Sequence, residues 1–436
     1  MNSRSHITIA RVIARLNIGG PAIQAILMTE AFRQKGYRSL LLTGEVGIGE
    51  GSMEYLSREK QVVPIKIRAM GRRISWCDDL KALRELIRLF YREKPVVVHT
   101  HTAKAGTLGR LAAMATGVPV RVHTFHGHVF RGYFSPFATR IFLGVERFLV
   151  RHTDRIIVVS ESQKRELVDI YRIAPAEKVA VIPLGIDLDH FLRVDGRDGT
   201  LRNSLECDAK TFLVGWVGRL TAIKDPDLFL ASARLLLQSK LRSTLQPTQN
   251  LKFALIGDGE LRESCENQAA AAEFCGAVHV AGWRQHLHYI YADLDVVVSS
   301  SINEGTPVSL LEAMASARAF VSTDVGGVRD LMVGPAKWQG GLEVFENGIL
   351  VPRNAESLAQ AVAYLMENPG VRHAMGQVGR RFVETRFSSQ RLADDLESLY
   401  LSLARAKRNL PMEAQSLAAG NPAERPQRAP AAKALS

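Results

Sequence analysis

The stretch "DVVVSSSINEGTPVSLLEAMA" (residues 295–315) contains the pattern that repeats along most of this chain. Its run of β-branched residues predicts a strand, "INEGTPV" the loop that leaves it, and "SLLEAMA" the start of a helix. The stretch also sets two carboxylates, Glu304 and Glu312, on either side of the boundary between loop and helix. Strand, loop and helix in this order form the unit from which parallel α/β sheets are built.

Short β-branched runs alternate with helical patterns in two series, and each series predicts one parallel sheet. The first series predicts strands at 7–15, 38–44, 96–101, 120–127 and 155–162, and the second at 212–218, 252–257, 278–283, 295–301, 319–327 and 348–352. The predicted fold class is therefore α/β, with two doubly wound Rossmann-like domains. Ligands bind such sheets at the carboxyl ends of the strands, so we expect a ligand cleft between the two domains.

A polar, pattern-poor segment between the two series marks a hinge. We expect a first domain over residues 1–186, a hinge over 187–208 and a second domain over 209–386. A helix is predicted over 387–409, because four leucines share one face that must pack on another surface. Those leucines are Leu392, Leu396, Leu399 and Leu403. The Ala- and Pro-rich tail at 410–436 offers little apolar surface to bury and is expected to be disordered.

Composition and charge restrict the classes of function. The chain is 46% hydrophobic and 23% charged, as globular proteins are. With no run of eighteen apolar residues, no export signal and four scattered cysteines, we expect a cytoplasmic protein with reduced thiols. Residues 1–185 carry 29 Lys and Arg against 15 Asp and Glu, whereas the remainder carries 27 against 29. This asymmetry predicts an anionic partner for the first domain: phosphates, nucleic acid or an acidic lipid surface.

Two further features point to a phosphate-bearing ligand. The segment "GWVGRLTAIKDPD" (215–227) opens the second series with a strand, a turn and two cations, Arg219 and Lys224. A guanidinium and an ammonium at the end of a strand suit a diphosphate. The helix start after Glu304 offers unpaired N–H groups to a phosphate, and Glu312 beyond it can accept hydrogen bonds from sugar hydroxyls. A local role stays open for each: a solvated turn for the cations, and capping or surface ion pairs for the glutamates.

These two segments resemble motifs of the retaining nucleotide-sugar glycosyltransferases of family 4, the group 1 glycosyltransferases with a GT-B fold, in the set that assembles bacterial surface polysaccharides. "EGTPVSLLE" is similar to the family's Glu-x7-Glu motif, and "VGRLTAIK" to its "GRL…K" segment. The resemblance extends over about residues 7–408. It includes "NIGGPAIQ" (17–24), similar to the family's glycine-rich loop, and "HTFHGH" (123–128), similar to its histidine-bearing strand end. Where the family often has an aromatic residue after Glu-Gly, this chain has Thr306 and Pro307.

The resemblance implies a role for individual residues. Arg219 and Lys224 would hold the donor diphosphate, Glu312 the ribose hydroxyls, and His126 and Glu304 would lie beside the transferred sugar. His126, Glu304, Arg219 and Lys224 form the implied catalytic set. The implied donor-binding set comprises Gly19, Gly20, Gly218, Arg219, Lys224, Glu304, Gly305, Thr306, Pro307, Val308, Ser309 and Glu312. The N–H groups of Thr306, Val308 and Ser309 would address the phosphates, whereas Pro307 has no N–H to offer.

The resemblance also implies an activity. A hexose or N-acetylhexosamine would pass, with retention of configuration, from a nucleotide sugar to a saccharide or lipid-linked saccharide acceptor. UDP is the preferred nucleotide and GDP-mannose is left open, with no cofactor and no metal ion. It further implies a C-terminal helix that crosses back to the first domain.

The basic first half suggests a place at a membrane. The stretch "VFRGYFSPFATRIFLGVERFLVRH" (129–152) interleaves Phe and Arg, and "IKIRAMGRR" (65–73) adds further cations. Both would suit an anionic bilayer that carries a lipid-linked acceptor, on the inner face of the cell membrane. An ordinary core helix with a solvated face accounts for the first stretch equally well.

Rival functions have weaker support. A dinucleotide-dependent oxidoreductase needs G-x-G-x-x-G after the first strand, but the G-x-G spacing of "GEVGIGEG" (44–51) follows the second. Nucleic-acid binding would explain the basic half, yet no binding motif accompanies the charge. A GT-B-like epimerase would share the fold and the nucleotide.

Two patterns raise the question of a metal ion. One is the histidine cluster, which has no neighbouring carboxylate at ligand spacing. Its members are His99, His101, His123, His126 and His128. The other is "DLD", at 187–189 and 293–295, for which we expect structural roles.

Overall fold

The computed structural model describes residues 7–47, 51–71, 75–127, 136–193, 196–238 and 250–407. The predicted tail at 410–436 lies outside the described residues, as does His128. Most of the described backbone belongs to two open sheets with helices on both faces. All four cysteines fall within the described ranges and are free thiols, as the sequence predicts.

Seven parallel strands form the first sheet. They are β1 (Thr8–Arg15), β2 (Arg38–Gly44), β3 (Ile65–Lys66), β4 (Val97–His101), β5 (Val120–Phe125), β6 (Arg155–Val158) and β7 (Val179–Val181). The helices between them are α1 (Gly20–Gln34), α2 (Glu54–Glu59), α3 (Trp76–Glu93), α4 (Ala103–Ala115), α5 (Pro136–Arg151) and α6 (Glu161–Arg165). The spatial order β3-β2-β1-β4-β5-β6-β7 places β1 and β4 near the centre, where their side chains are buried on both faces.

The second sheet has six parallel strands and an antiparallel edge. Two short helices lead into it, α7 (Asp189–Leu192) and α8 (Thr200–Ser204). Its strands are β8 (Phe212–Val217), β9 (Leu251–Ile256), β10 (Val278–Gly282), β11 (Val296–Ser299), β12 (Ala319–Thr323), β13 (Lys337–Gln339), β14 (Leu342–Val344) and β15 (Gly348–Val351). Its helices are α9 (Pro226–Leu237), α10 (Arg262–Ala269), α11 (Leu287–Asp293), α12 (Val308–Ala315), α13 (Ala355–Glu367) and α14 (Pro369–Arg386). The order β10-β9-β8-β11-β12-β15-β14-β13 makes the hairpin β13–β14 the edge of the sheet.

The predicted pair of doubly wound sheets is confirmed, and each predicted strand is present. Four short strands, β3, β7, β13 and β14, were not predicted, because each has only two or three residues and lies at or next to a sheet edge. The prediction at 155–162 runs too far. There Ser160 caps α6 by accepting a hydrogen bond from the N–H of Gln163 at 3.2 Å, which ends the extended segment.

The last described helix, α15 (Ser389–Ala406), returns to the first sheet, as expected from the resemblance. Leu392 and Leu396 are buried in one core with residues of β1, α1 and β5, and Leu399 and Leu403 pack at its margin. Tyr400 is buried beside them. At the rim, Glu397 accepts hydrogen bonds from Lys35 and Tyr37, each at 2.6 Å. The leucine face predicted from the sequence therefore packs on the first domain.

Contacts also join the two sheets at their carboxyl ends. The N–H of Ser162, at the start of α6, donates to Asp330 Oδ2 at 3.0 Å. The ring of Tyr55 in α2 meets that of Trp283, after β10, edge to face with centroids 6.0 Å apart. The carboxyl edges of the two sheets, where open α/β sheets bind their ligands, therefore face each other.

Candidate active site

Glu304 lies in the loop that leaves β11, at the carboxyl end of the second sheet. Only 8% of the residue is exposed. Its carboxylate accepts hydrogen bonds from Ser301 Oγ at 2.6 Å and from Lys224 Nζ at 2.5 Å. A carboxylate this buried needs such partners, because removing a charge from water is costly. The structure therefore pairs Glu304 with Lys224, although the two residues lie in separate sequence motifs.

Hydrogen bonds between two loops hold Lys224 in this position. Ser300 follows β11 and donates from Oγ to the carbonyl oxygen of Asp225 at 2.6 Å. Trp216 Nε1 in β8 donates to the same Ser300 Oγ at 2.9 Å. Two residues further, the N–H of Ile302 donates to the carbonyl oxygen of Ile223 at 2.9 Å. The loop after β8 is thus fixed to the loop after β11, and Lys224 moves with Glu304 as one unit.

Arg219 lies on the same edge of the sheet but is not part of this unit. Its side chain is exposed and forms no hydrogen bond or ion pair with any residue in the described ranges. Gly218 before it packs backbone to backbone on Gly257, where an added Cβ would lie 1.7 Å from the Gly218 carbonyl oxygen. The turn is therefore held closely while the guanidinium stays available to a ligand.

The start of α12 presents unpaired backbone donors. Pro307 precedes the first helical residue, Val308, and has no N–H. Within the described part of the chain, the N–H groups of Thr306, Val308 and Ser309 donate to no protein acceptor. Unpaired N–H groups at a helix start form an anion-binding position, so this feature suits a phosphate.

The glycine-rich loop of the first domain reaches the start of α12. Gly19 precedes α1 and Gly20 begins it. A Cβ added at Gly20 would lie 3.2 Å from Cγ2 of Val308, so the backbone of Gly20 approaches the Val308 side chain closely. The residues predicted to flank the donor phosphate from both domains are therefore neighbours.

Glu312 is half-buried within α12 and has one protein partner. Its carboxylate accepts a hydrogen bond from the hydroxyl of Tyr291 in α11 at 2.9 Å. Burial raises the pKa of the Glu312 carboxyl to about 7, against which the Tyr291 hydrogen bond acts only weakly. Sequence reasoning missed Tyr291, because nothing in the pattern of α11 indicates which residue of that helix reaches α12.

Two glycines after β12 fix the backbone of Glu304 and Gly305. Gly326 has φ +56°, and a Cβ there would lie 1.9 Å from the Glu304 carbonyl oxygen. A Cβ at Gly327 would lie 1.9 Å from the Gly305 carbonyl oxygen, and the Gly327 N–H donates to the Glu304 carbonyl at 3.0 Å. These residues were also missed, although the "VGG" that ends the predicted strand 319–327 was a visible signal.

The histidine-bearing end of β5 meets the same backbone from the first domain. A Cβ at Gly305 would lie 2.6 Å from the carbonyl oxygen of His126 and 3.0 Å from Cα of Gly127. On its other side, Gly127 accepts a hydrogen bond from Gln163 Nε2 at 2.8 Å. The structure therefore brings the backbone of His126 against that of Gly305, the residue after Glu304.

The side chain of His126 is hydrogen-bonded to a second histidine. Its Nε2 lies 2.9 Å from Nδ1 of His101 at the end of β4. Burial lowers the pKa of the His126 imidazole to about 4, so the ring is neutral near pH 7. His99 faces Tyr400 of α15 and Thr124 of β5, whereas His123 faces Thr100 on the opposite side of the sheet.

Acidic residues of the two "DLD" segments, at 187–189 and 293–295, have structural partners. Asp187 pairs with Lys60, the residue that follows α2, at 2.8 Å. Asp293 is buried and accepts three backbone N–H groups at the start of α8, and Asp295 forms an ion pair with Arg197 at 2.6 Å. Among the described residues, no group of three or more His, Cys, Asp or Glu side chains is arranged to hold a metal ion.

Both halves of the chain match models of known protein families. The model described as "Glycosyltransferase Family 4" matches residues 18–190, and the model described as "Glycosyl transferases group 1" matches residues 211–368. The chain is 27% identical to the UDP-Gal:alpha-D-GlcNAc-diphosphoundecaprenol alpha-1,3-galactosyltransferase of Escherichia coli, over 77% of this chain and 83% of the relative. It is 26% identical to the capsular polysaccharide biosynthesis glycosyltransferase CapM of Staphylococcus aureus, over 81% of this chain and 87% of the relative.

Solved structures share the fold. Anabaena HepE in complex with UDP superposes with a TM-score of 0.73 at 18% identity, over 91% of this chain and all of that one. A glycosyltransferase from Rickettsia africae superposes with a TM-score of 0.72 at 16% identity, over 91% of this chain and 98% of that one. At this identity the likeness concerns the fold alone.

The environment of Glu312 predicts a pH-dependent stability effect. Because its folded-state pKa is raised above the unfolded value, the ionised carboxyl destabilises the fold, and this cost appears as the pH rises from about 4.5 through 7. Glu312→Gln keeps an acceptor for Tyr291 without the charge. We expect it to raise the melting temperature relative to wild type at pH 8 and to change it little at pH 5. The gain is at most about 3 kcal/mol, since the group is only half-buried.

Calorimetry at both pH values measures this difference. Glu367→Gln, at an exposed position of α13, is the control and should show no such dependence on pH. An equal effect of Glu312→Gln at pH 5 and pH 8 would contradict the assigned environment.

Proposed function

The chain belongs to the group 1 glycosyltransferases, with a family 4 first domain and the GT-B fold, and from this premise we propose its donor, its stereochemistry and its acceptor class. It transfers a hexose or N-acetylhexosamine from a UDP-linked donor to a saccharide or lipid-linked saccharide during the synthesis of a cell-surface polysaccharide. The anomeric configuration is retained, and no metal ion takes part. The domain limits and the site residues predicted from the sequence form part of this proposal.

One observation supports the proposal above the others: cations and unpaired N–H groups converge at the edge where the two sheets meet. Lys224 has three N–H donors and gives one to Glu304, so two are left for phosphate oxygens. Arg219, in the same loop after β8, is exposed and pairs with no residue in the described ranges. The open N–H groups at the start of α12 complete a cradle for a diphosphate.

The reaction follows from this arrangement. The bond between the anomeric carbon and the diphosphate oxygen breaks, and its electron pair leaves with the diphosphate. Arg219, Lys224 and the α12 N–H groups stabilise the growing negative charge on that leaving group. Glu304 and His126 orient the sugar and support its oxocarbenium-like character, since both lie beside Gly305. The acceptor hydroxyl then attacks from the face that the diphosphate leaves, and its proton passes to the departing diphosphate oxygen.

The nucleoside of the donor would lie beside Glu312, one helical turn beyond the start of α12. Glu312 is half-buried and donates nothing, so its carboxylate oxygens are acceptors for the two ribose hydroxyls. The choice of UDP rests on the donor in the name of the Escherichia coli relative and on the UDP complex of HepE. The family favours a transferase over the dinucleotide-dependent and nucleic-acid alternatives, and also over an epimerase, which would bind the same nucleotide sugar.

The acceptor is proposed to be lipid-linked, because the name of the Escherichia coli relative includes diphosphoundecaprenol. Among the described residues, no helix has the length and apolar content needed to cross a bilayer. The first domain instead exposes an apolar stripe on α5: Ile141, Val145 and Phe148 are 53%, 36% and 47% exposed. Arg140 and Arg151 are exposed on the same helix. A stripe of this kind between cations suits the surface of an anionic bilayer.

Removing the free guanidinium tests the catalytic role. Arg219→Ala should lower kcat/KM about 100- to 1,000-fold, the usual cost of one donor to a transition-state charge, with an unchanged melting temperature. Transfer from UDP-galactose, UDP-glucose, UDP-N-acetylglucosamine and GDP-mannose to a diphospholipid-linked N-acetylglucosamine is measured, and NMR of the product reports the anomeric configuration. Arg381→Ala, at an exposed position of α14, is the matched control. Full activity of Arg219→Ala would contradict the assignment.

Flotation with liposomes tests the membrane surface. We expect the wild-type chain to float with vesicles that contain phosphatidylglycerol and not with neutral vesicles, more strongly at low salt. Changing Ile141, Val145 and Phe148 together to Ser should abolish flotation. Trp338→Ser should not, although that side chain, 72% exposed on β13, is also a large exposed apolar group. Equal flotation of the two variants would exclude this surface.

A further inference from the structure

Two histidines of the cluster are neighbours in the structure, and the family resemblance gives a role to only one of them, His126. His101 ends β4, and His126 follows the adjacent parallel strand β5. Their ring centroids are 5.1 Å apart, and Nδ1 of His101 lies 2.9 Å from Nε2 of His126. This contact is a hydrogen bond, so one of the two nitrogens carries the proton.

The other nitrogen of each ring has a different environment. His101 is 1% exposed, and its Nε2 is a buried atom for which the described residues supply no hydrogen-bond partner. His126 is partly exposed, and its Nδ1 makes no hydrogen bond within the described residues. Because the backbone of His126 meets Gly305 of the second domain, this nitrogen is available to a ligand bound between the two domains.

Both rings are neutral, because burial lowers the pKa of His101 well below its ordinary value and that of His126 to about 4. Each ring then carries one proton, which leaves two arrangements. If His126 donates from Nε2, the proton of His101 lies on Nε2 as a buried N–H without an acceptor. If His101 donates from Nδ1, its Nε2 carries no proton, and only the lone pair of that nitrogen is left without a hydrogen-bond donor. Buried N–H groups without an acceptor are the rarer defect, which favours the second arrangement.

We infer that His101 is a positioning residue that donates from Nδ1 to Nε2 of His126 and thereby holds His126 as the Nδ1–H tautomer. His126 then presents an N–H donor to the cleft, suited to an oxygen of the bound ligand. On the proposed function, on which this part of the inference rests, that oxygen belongs to the sugar or phosphate of the donor. The neutral ring supplies a directed hydrogen bond and no charge.

The surroundings of His101 prevent its ring from turning away. The ring of His99 lies over it, with centroids 4.3 Å apart. His99 is itself held at both nitrogens, by the Tyr400 hydroxyl at 2.5 Å and by Thr124 Oγ1 at 2.7 Å. Tyr400 of α15 thus supports, through His99 and His101, the N–H group that His126 presents to the cleft.

NMR of the full-length chain labelled with ¹⁵N-histidine tests the tautomer directly, without ligand and without an activity assay. Signals are assigned with His126→Gln. The wild type should show His126 protonated at Nδ1, and His101→Leu should shift it to the Nε2–H form that free histidine favours in water. Wild-type His126 protonated at Nε2 would overturn the inference, whatever sugar the enzyme transfers.

Kinetics separate positioning from mere packing. Loss of the outer partner of a functional histidine costs about 10- to 100-fold in activity at metal sites, and we expect a fall in kcat of that order for His101→Leu, with little change in the KM for the donor. His101→Asn can place an amide N–H where Nδ1 lies and should restore most of kcat and the Nδ1–H signal.

The control is His123→Leu, which removes an equally buried histidine hydrogen-bonded to Thr100 on the other face of the sheet. It should lower stability and leave the His126 tautomer unchanged. If His101→Leu does not fold, the wild-type spectrum and His101→Asn still decide. An unaltered tautomer in a folded His101→Leu would overturn the inference.

Discussion

Close packing of backbone on both sides of Glu304 and Gly305 is the constraint on which the rest of the site depends. Gly326 and Gly327 press on the two carbonyl groups from the second domain, and the His126 carbonyl lies against Gly305 from the first. None of the three glycine positions, Gly305, Gly326 and Gly327, has room for a side chain, so three loops from two sheets meet there as bare main chain. This packing sets where the Glu304 carboxylate lies and how near the histidine of the opposite domain can come.

Charge then determines what can occupy the cleft. The Glu304 carboxylate is matched by Lys224, so the pair contributes no net charge, and Arg219 and the start of α12 leave an excess of positive potential at the same edge. A diphosphate satisfies this excess. Glu312 is different, because it is an acceptor with a raised pKa and a single tyrosine partner, and neutral hydroxyls suit it better than a cation. The distinct environments of the two glutamates answer why the chain places them on either side of a helix start.

The sequence predicted the larger features because they depend on local pattern. Long β-branched runs and an apolar helix face predicted both sheets and the returning α15, since such segments must bury those residues wherever they pack. The short edge strands were missed because two or three residues are too few to show a hydrophobic periodicity. At the site, the resemblance indicated His126, Glu304 and Glu312, whereas Tyr291, Gly327 and His101 depend on which loops meet in space. Nothing in the spacing of residues 101 and 126 indicates that their rings touch; parallel pairing of β4 and β5 places them together.

Isothermal titration of the chain with UDP is the decisive measurement. GDP, NAD and a short DNA duplex are titrated separately, and the UDP titration is repeated with EDTA. UDP should bind, EDTA should not affect this binding, and Glu312→Ala should weaken it greatly. At a concentration of about 100 Kd, UDP should also stabilise the folded wild type by roughly 2.7 kcal/mol. Binding of GDP alone would change the base and keep the glycosyltransferase site. Binding only of NAD or DNA, or UDP binding that is unchanged in Glu312→Ala, would contradict the claim that the two glutamates hold two parts of one nucleotide sugar.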